Sequence, residues 1–489
     1  VIGGGNAAQG NVQARQTTEL TVRLAVPSIT VADPKVVLVK KQYQDGTDGP
    51  NPHRISVQLR ASSNFGGTGR FTCNHTNHIR LYDAETGGNQ INLPYDIPGG
   101  ELAAGKTVYV EGAQPSVRMN NTRLTLTLQG GSPAGWGTAR EDITCVELKL
   151  EICKWRTSRR AYPTPFTEQE KMNPGRYVSL HDGQGSTERA MMILHKARPH
   201  NYTGTLSLIP LVPSDNRVQV FESEQGGAAQ PNYTIANRRV SPSGKRLWVQ
   251  GRNVSAGLRD TGFRLELQNP ADKEGDRVRI TVVRLRMDSC KARTAAGVDP
   301  VPFSNNDKVT VGRFIHVQNP ANQHERAKVI VNRVQPNAFN GTLVLTMVEP
   351  ARGNPLNKAQ LFDNENPAAP AGQAAHPNPY EFNHDGTFPA TGRAFWLEGR
   401  NESRRARDTE VWLGIRDHIK RGDRVPVTVV KGFLDIYQSR TRRNRDPRAM
   451  TPNDKVNVGR FVHIQMGNHH GRALAVARRL RPNDANCRL

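Results

Sequence analysis

The sequence predicts an all-β protein, a tandem array of Ig-like antiparallel β-sandwich domains in about three and a half copies. Three observations predict it. A tryptophan-bearing strand with a polar exit turn recurs along the chain, short apolar runs alternate with Gly, Pro and Asn turns, and helical periodicity is almost absent.

The recurring stretch is clearest at Trp248-Val249-Gln250-Gly251, followed by Ser255 and Arg259-Asp260-Thr261. A second copy places Trp396 before Gly399, then Ser403 and Arg407-Asp408-Thr409. A worn copy has Tyr109 before Gly112, then Ser116 and Asn120-Asn121-Thr122, with the same Gly-to-Thr and Ser-to-Thr intervals. Coincidence does not reproduce that many matched positions, so function has to be sought in an array.

In chain order, residues 1–19 are rich in Gly, Asn and Gln and read as a flexible lead-in. Residues 20–130 form a degenerate first repeat, with strands over Thr21–Val26, Val36–Lys40 and Ile55–Leu59 and the landmark Leu81-Tyr82-Asp83. The second repeat, 131–268, restarts on the alternating run Ile143 to Cys153, read as one strand with one buried face. The third, 269–415, restarts at Ile280, and a partial fourth, 416–489, restarts at Val427. Each interval is domain sized, which makes these beads and not a solenoid.

Within the repeats, Thr167-x-x-Glu170, Ser304-x-x-Asp307 and Thr451-x-x-Asp454 read as capping boxes, each opening a single helical turn. Gly-Arg-[Tyr/Phe] at 175–177, 312–314 and 459–461 then opens a strand. Turns at Tyr202-Thr203-Gly204 and Phe339-Asn340-Gly341 feed the next strand, and Val218–Phe221 matches Ala359–Phe362. The last repeat stops partway, so its remaining strands are expected either beyond residue 489 or from another chain.

Composition narrows the chemistry. The 67 Lys and Arg against 44 Asp and Glu give a formal charge of +23, spread along the chain with local clusters. A surface of that sign attracts polyanions, although it also serves simply to keep a chain soluble. Five cysteines without a C-x-x-C pair are not a disulfide framework and read as buried small residues. No apolar run is long enough for a transmembrane helix.

Few motifs suggest catalysis. Neither G-x-S-x-G, H-E-x-x-H nor a phosphate-cradling glycine loop occurs. Cys73-x-His75-x2-His78 has metal-ligand residue types but no fourth ligand nearby and unusual histidine spacing, so no metal and no cofactor are expected. His316 and His463 follow Gly-Arg-Phe, but the second repeat has Ser179 there, which argues against a shared role. The Ser-x3-Arg-Asp-Thr turn reads first as a structural device in which Asp and Thr bond nearby amides. Trp248 and Trp396 read first as packing residues and second as a carbohydrate-stacking platform.

The candidates for a polyanion or protein interface are arginine clusters: Arg156, Arg159 and Arg160; Arg404, Arg405 and Arg407; Arg440, Arg442, Arg443 and Arg445. Arg478, Arg479 and Arg481 form another. Aromatic residues do not interleave with them, which weighs against single-stranded nucleic acid.

The shared wording [Trp/Tyr]-x2-Gly-x3-Ser-x3-Arg-Asp-Thr, with Asp-Arg-Val-x-[Ile/Val]-Thr-Val-Val at Asp276–Val283 and Asp423–Val430 and Asp-Lys-Val-x-Val-Gly-Arg-Phe-x-His at Asp307–His316 and Asp454–His463, resembles the β-rich repeat region of bacterial type VI secretion spike, Rhs-like and polymorphic-toxin-associated proteins. The resemblance covers roughly residues 105–489 and carries no catalytic residue. It implies a non-enzymatic scaffold or delivery module in a bacterial secretion or cell-surface system, secreted or at the cell surface. The implied partners are proteins: a spike, a toxin or neighbouring domains of one polypeptide, with head-to-tail self-association as a further expectation. Two other readings stay open, a basic adhesin for polysaccharide or other polyanions, and an enzyme with a dispersed site.

Overall fold

The computed structural model describes residues 24–39, 53–62, 65–131, 137–154, 164–166, 177–180, 189–212, 216–268, 274–291, 298–304, 313–317, 326–348, 358–365, 375–416, 418–437, 451, 465–466, 469–470 and 474–483. Strands dominate them. The first group comprises β1 (Pro27–Val31), β2 (Val36–Leu38), β3 (Arg54–Ala61), β4 (Thr68–Cys73), β5 (Ile79–Tyr82), β6 (Gln90–Ile91), β7 (Tyr95–Pro98), the short helix α1 (Gly99–Ala104), β8 (Lys106–Gly112), β9 (Thr122–Gln129) and β10 (Thr138–Val146).

The second group is β11 (Leu150–Ile152), β12 (Tyr177–Leu180), β13 (Arg189–Leu194), β14 (Thr205–Pro210), β15 (Val218–Phe221), β16 (Tyr233–Ala236), β17 (Lys245–Gly251), β18 (Thr261–Leu267) and β19 (Glu274–Arg284). The third is β20 (Met287–Ser289), β21 (Arg313–Val317), β22 (Arg326–Val331), β23 (Gly341–Val348), β24 (Ala359–Phe362), β25 (Tyr380–His384), β26 (Arg393–Gly399), β27 (Thr409–Ile415) and β28 (His418–Ile436). β29 (Gln465–Met466), β30 (His469–His470) and β31 (Ala475–Arg481) follow.

Each group divides into two sheets of matching order. The first sheets run β1-β3-β8-β5-β6, β11-β13-β17-β15 and β20-β22-β26-β24; the second run β2-β10-β9-β4-β7, β12-β19-β18-β14-β16 and β21-β28-β27-β23-β25. Pairing is antiparallel with one exception in each second sheet. There β2, β12 and β21 lie parallel to β10, β19 and β28. In the first group the break between β1 and β2 falls at Pro34, which has no amide to donate to a ladder.

Alternation of side chains builds the cores. In β3 and β9 every second residue is buried, so each strand turns one face inward. One buried cluster joins both sheets of the first group through Val57, Leu59, Val108, Leu124 and Leu126. A second joins those of the second group through Met192, Leu206, Leu247 and Val278, and a third those of the last group through Val329, Leu343, Phe395 and Val425. Each fully buried Leu or Val contributes roughly 1.5–3 kcal/mol relative to exposure.

The run Ile143 to Cys153, expected as one strand, is two. β10 ends at Val146 in a sheet of the first group, and β11 begins at Leu150 in a sheet of the second. Cys145 consequently packs in the first core, while Cys153 packs with Met191, Phe221 and Trp248 outside the second. Sheet partners change at Glu147–Lys149 and at Leu285-Arg286, later than the boundaries expected at 130/131 and 268/269. β28 carries the third change without a break, pairing β27 up to Val427 and β31 from Lys431, beyond the 415/416 boundary.

These changeovers are tightly packed joints. Leu148 is 1 % exposed and lies so close to Gly275 that a Cβ there would meet its Cδ1 at 2.5 Å. The Leu150 amide donates to Asp276 Oδ2 at 2.6 Å. The next joint repeats both features: Leu285 against Gly422 and the Met287 amide to Asp423 Oδ2 at 2.7 Å. The Asp of each Asp-Arg-Val motif is thus a joint residue. Gly275→Ala and Gly422→Ala are each expected to destabilise the chain by about 1–3 kcal/mol through overpacking, measured as a lowered urea midpoint.

The capping boxes at 167–170 and 454 lie outside the described residues, as do Asp307 and most of 451–464; Ser304 and Thr451 are described, in irregular backbone.

Candidate functional site

The exit turn is a clamp onto the last strand of its own group. Ser255 donates its amide to the Val282 carbonyl at 2.9 Å and accepts the Val282 amide on Oγ at 2.8 Å. Ser116 does the same with Cys145 at 2.9 Å both ways, and Ser403 with Val429 at 2.9 and 2.8 Å. At the turn's tip the chain adopts positive φ at Asn120 (55°), Arg259 (56°) and Arg407 (58°). The amide freed there donates to a buried threonine hydroxyl: Thr144 at 3.0 Å, Thr281 at 2.7 Å and Thr428 at 2.7 Å. Satisfied amides are what hold an otherwise costly left-handed residue in place.

Asp260 and Asp408 close the same turn over a cation. Asp260 Oδ2 accepts from Arg217 and from the Ala256 amide at 2.7 Å. Asp408 Oδ2 accepts from Lys358 and from the Arg404 amide at 2.8 Å. Burial works to raise the Asp408 carboxyl, but hydrogen bonds from Lys358, Ser403 and the Arg404 amide hold it below its ordinary value. Burial likewise opposes the shift at Asp260, where Ser255, the turn amides and Arg217 keep the carboxyl low.

The first copy changes both members of that pair. Asn121 stands where the others have Asp, and His78 stands at the cation position, its carbonyl accepting the Ala113 amide as Arg217 accepts Arg252 and Lys358 accepts Arg400. Burial, with His75 nearby, pushes His78 below its ordinary value, so the ring is neutral at pH 7. Its Nδ1 lies 2.8 Å from Thr122 Oγ1, which is also 2.8 Å from Ser116 Oγ. The Cys73–His75–His78 cluster is therefore occupied structurally: Cys73 Sγ points to the His75 carbonyl at 3.4 Å, and burial pushes the thiol up to about 11. No group of three potential metal ligands occurs among the described residues, and no described helix is long and apolar enough to cross a membrane.

A second recurring device escaped the sequence reading. Arg54, Arg189 and Arg326 open β3, β13 and β22 and lay their guanidinium carbons 3.3, 3.4 and 3.5 Å over the rings of Tyr82, Phe221 and Phe362. The residue before each landmark glycine faces them: Glu111 at 3.4 Å, Gln250 at 3.3 Å and Glu398 at 3.0 Å. Their Nη1 atoms reach over the ring to the next loop, to the carbonyls of Ala84 and Gly87, of Ser223 and Gly226, and of Asn364. The arginine thus pins a loop through stacking and donated bonds at once. The signal was present as the Arg-Ala pairs 189–190 and 326–327 and the aromatic ending each matched strand.

Among the landmarks, Trp248 and Trp396 are each 7 % exposed, too covered for a stacking platform. Tyr109, the worn counterpart, is half-buried. Gly112 lets the backbone of Leu38 pass, since a Cβ would meet its carbonyl oxygen at 2.7 Å; Gly251 and Gly399 are buried strand ends.

Of the arginine clusters, 156–160 and 440–445 lie outside the described residues. Arg404, Arg405 and Arg407 are exposed on the third clamp turn. The equivalent turns carry one arginine each, Arg259 and Arg118, so the cluster of three belongs to this copy. Arg481 Nη1 lies 3.6 Å from Glu402 Oε1, which brings the last described strand beside that turn. Arg478 and Arg479 are also exposed. His316 sits in β21 opposite Val430; His463 is outside the described residues.

No protein-family model matches the chain, and neither does any curated protein.

Proposed function

We propose that the chain is a non-enzymatic scaffold or docking module made of tandem Ig-like β-sandwiches, three of them paired sheets with their own cores and a fourth begun by β28 and β31. The observation that supports this is the fate of the most site-like polar residues. Ser255, Asp260, Arg189 and their counterparts are spent on bonds inside their own units, and they recur in unit after unit. A reacting group has no reason to be copied in that way, whereas a repeated structural fastener does. In keeping with the resemblance in the repeat wording, the partners proposed are proteins of a bacterial secretion or cell-surface system, such as a spike or toxin.

The test is retention on the bead-bound chain of the polypeptides encoded beside it, at 0.1 M salt and again at about 0.5 M, where exposed charges are strongly screened. Retention at both supports a packed protein interface, and failure to retain any neighbour sinks the reading.

The copy-specific patch at Arg404, Arg405 and Arg407 favours a second reading, attraction of a polyanion. With a random-sequence DNA duplex as probe, affinity is expected to fall steeply between 50 and 200 mM salt, in the manner of counterion release. Substituting Arg404 and Arg405 by Ala should flatten the slope by about 0.9 per lost contact. An unchanged slope removes this turn from any polyanion site.

A further inference from the structure

Among the described residues, the first group lacks a covering that the other two possess. After β11 the chain comes back against its edge: the Lys154 amide donates to the Thr164 carbonyl at 2.8 Å, and the Phe166 amide to the Ile152 carbonyl at 3.2 Å. After β20 the same two bonds recur, from Lys291 to Val301 at 2.8 Å and from Phe303 to Ser289 at 2.9 Å. Both returning segments read Pro-x-Pro-Phe. They sit in long connections, from Ile152 to Tyr177 and from Ser289 to Arg313.

In the first group the corresponding connection is short, from Val31 to Val36, and has no room for such a return. The register is otherwise conserved, since the Ala32 amide donates to the Ser56 carbonyl at 3.1 Å as Cys153 does to Met191 at 2.8 Å. By strand parity the Val31 carbonyl and Asp33 amide point outward, where Ile152 and Lys154 receive their segment. Among the described residues neither meets a backbone partner.

The surface beside this edge is hollow as well. The second group fills it with Cys153, Met191 and Trp248. The first has Ala32, Ser56 and Tyr109 at those positions, and they line a cleft of about 300 Å³ with Asp33, Arg54 and Glu85. Ala32 is exposed where Cys153 is 2 % exposed. Exposed Asp33 and Glu85 put negative charge on the rim.

We propose that this edge and cleft of the first unit form a docking site for an extended, proline-bearing segment of another polypeptide, ending in an aromatic residue and flanked by basic residues. The bound segment adds a short antiparallel pairing to β1, sets the proline before its aromatic residue over the cleft, as Pro165 lies opposite Cys153, and turns the aromatic side chain to the opposite face, as Phe166 packs with the cluster of Ile152. The chain itself indicates the occupant, since its residues 164–166 and 301–303, from Pro-x-Pro-Phe segments, take this place in the second and third units. Peptide addition to an open sheet edge is a known recognition mode, with main-chain bonds giving affinity and a side-chain pocket giving specificity. The site stands whichever partner class the arginine turn serves.

The probe is a capped peptide of residues 158–167 of this chain, which carries Arg159, Arg160 and Pro165-Phe166, titrated into the full chain by calorimetry or NMR. Saturable binding with Kd at or below about 1 mM is expected. The same peptide N-methylated at Phe166, which cannot donate to Val31, should bind at least about tenfold more weakly. Ser56→Met with Tyr109→Trp, which rebuilds the second unit's filling, should weaken binding of the unmodified peptide to a similar degree while leaving the circular dichroism spectrum unchanged. Absence of saturable binding up to about 5 mM, or equal binding by the N-methylated peptide, overturns the proposal.

Discussion

Replacing Arg326 by alanine is expected to destabilise the third sheet pair by about 3–5 kcal/mol, because it strands a buried carboxylate. The side chains of Arg326 and Glu398 are 6 % and 3 % exposed. Removing the guanidinium also unstacks Phe362 and drops the bonds to Asn364. Arg400, at 3.1 Å from Glu398 Oε1, is half in solvent and offsets only part of the loss. The second copy supplies the control. There the facing residue is neutral Gln250, so Arg189→Ala leaves no orphaned charge and should cost only about 1–3 kcal/mol. A double replacement, Arg326→Met with Glu398→Leu, should bring stability back near that of the parent. Urea unfolding followed by tryptophan fluorescence measures all three; equal losses for Arg326→Ala and Arg189→Ala would show that the buried carboxylate is not what sets the cost.

Asp408→Ala should be about as damaging, roughly 3–5 kcal/mol, since it leaves Lys358 buried without its anion. The variant that combines Lys358→His with Asp408→Asn, the pair carried by the first copy, is expected to recover most of that loss. The pH dependence follows from the direction of the Asp408 shift. Its carboxyl is held below the ordinary value in the folded state, so its contribution is fully present above the unfolded value of about 3.9 and disappears as pH falls through the folded value. Glu151 behaves alike: the hydrogen bond from His195 at 2.7 Å, joined by Lys149, outweighs burial and brings it down to about 2. Stability is therefore expected to fall on acidification below about pH 4, and Asp408→Asn should show a shallower fall over that range. Parallel acid titrations of parent and variant would show this difference; coincident curves would dissociate Asp408 from the acid limb.

How much was legible in the sequence depends on whether a residue's partner lies near it in the chain. The Ser-x3-Arg-Asp-Thr turn could be read because Ser255, Arg259 and Asp260 sit within a few residues of one another, and turn chemistry is local. The role of Thr281 could not, though it stands in a recurrent Ile-Thr-Val-Val run, since the amide it accepts belongs to Arg259 in another strand's approach. Arg54, Arg189 and Arg326 passed as part of a diffuse positive charge. Only strand pairing brings each under a ring and a carboxylate or amide from two other strands. The role of His78 was not legible either, because its partners, Thr122 and the turn of Ser116, are far along the chain.

By itself the sequence determined the all-β character and the recurrence, because side-chain alternation and turn residues act over a few positions and are copied with each repeat. Tertiary structure alone decided that Ile143 to Cys153 divides between two sheet pairs, that Leu148 and Leu285 lock the joints against Gly275 and Gly422, and that among the described residues no returning segment pairs with the outer edge of β1. The reason is physical: an alternating apolar run has the same pattern whether one core or two receive it, and only the packed neighbours say which face meets which core.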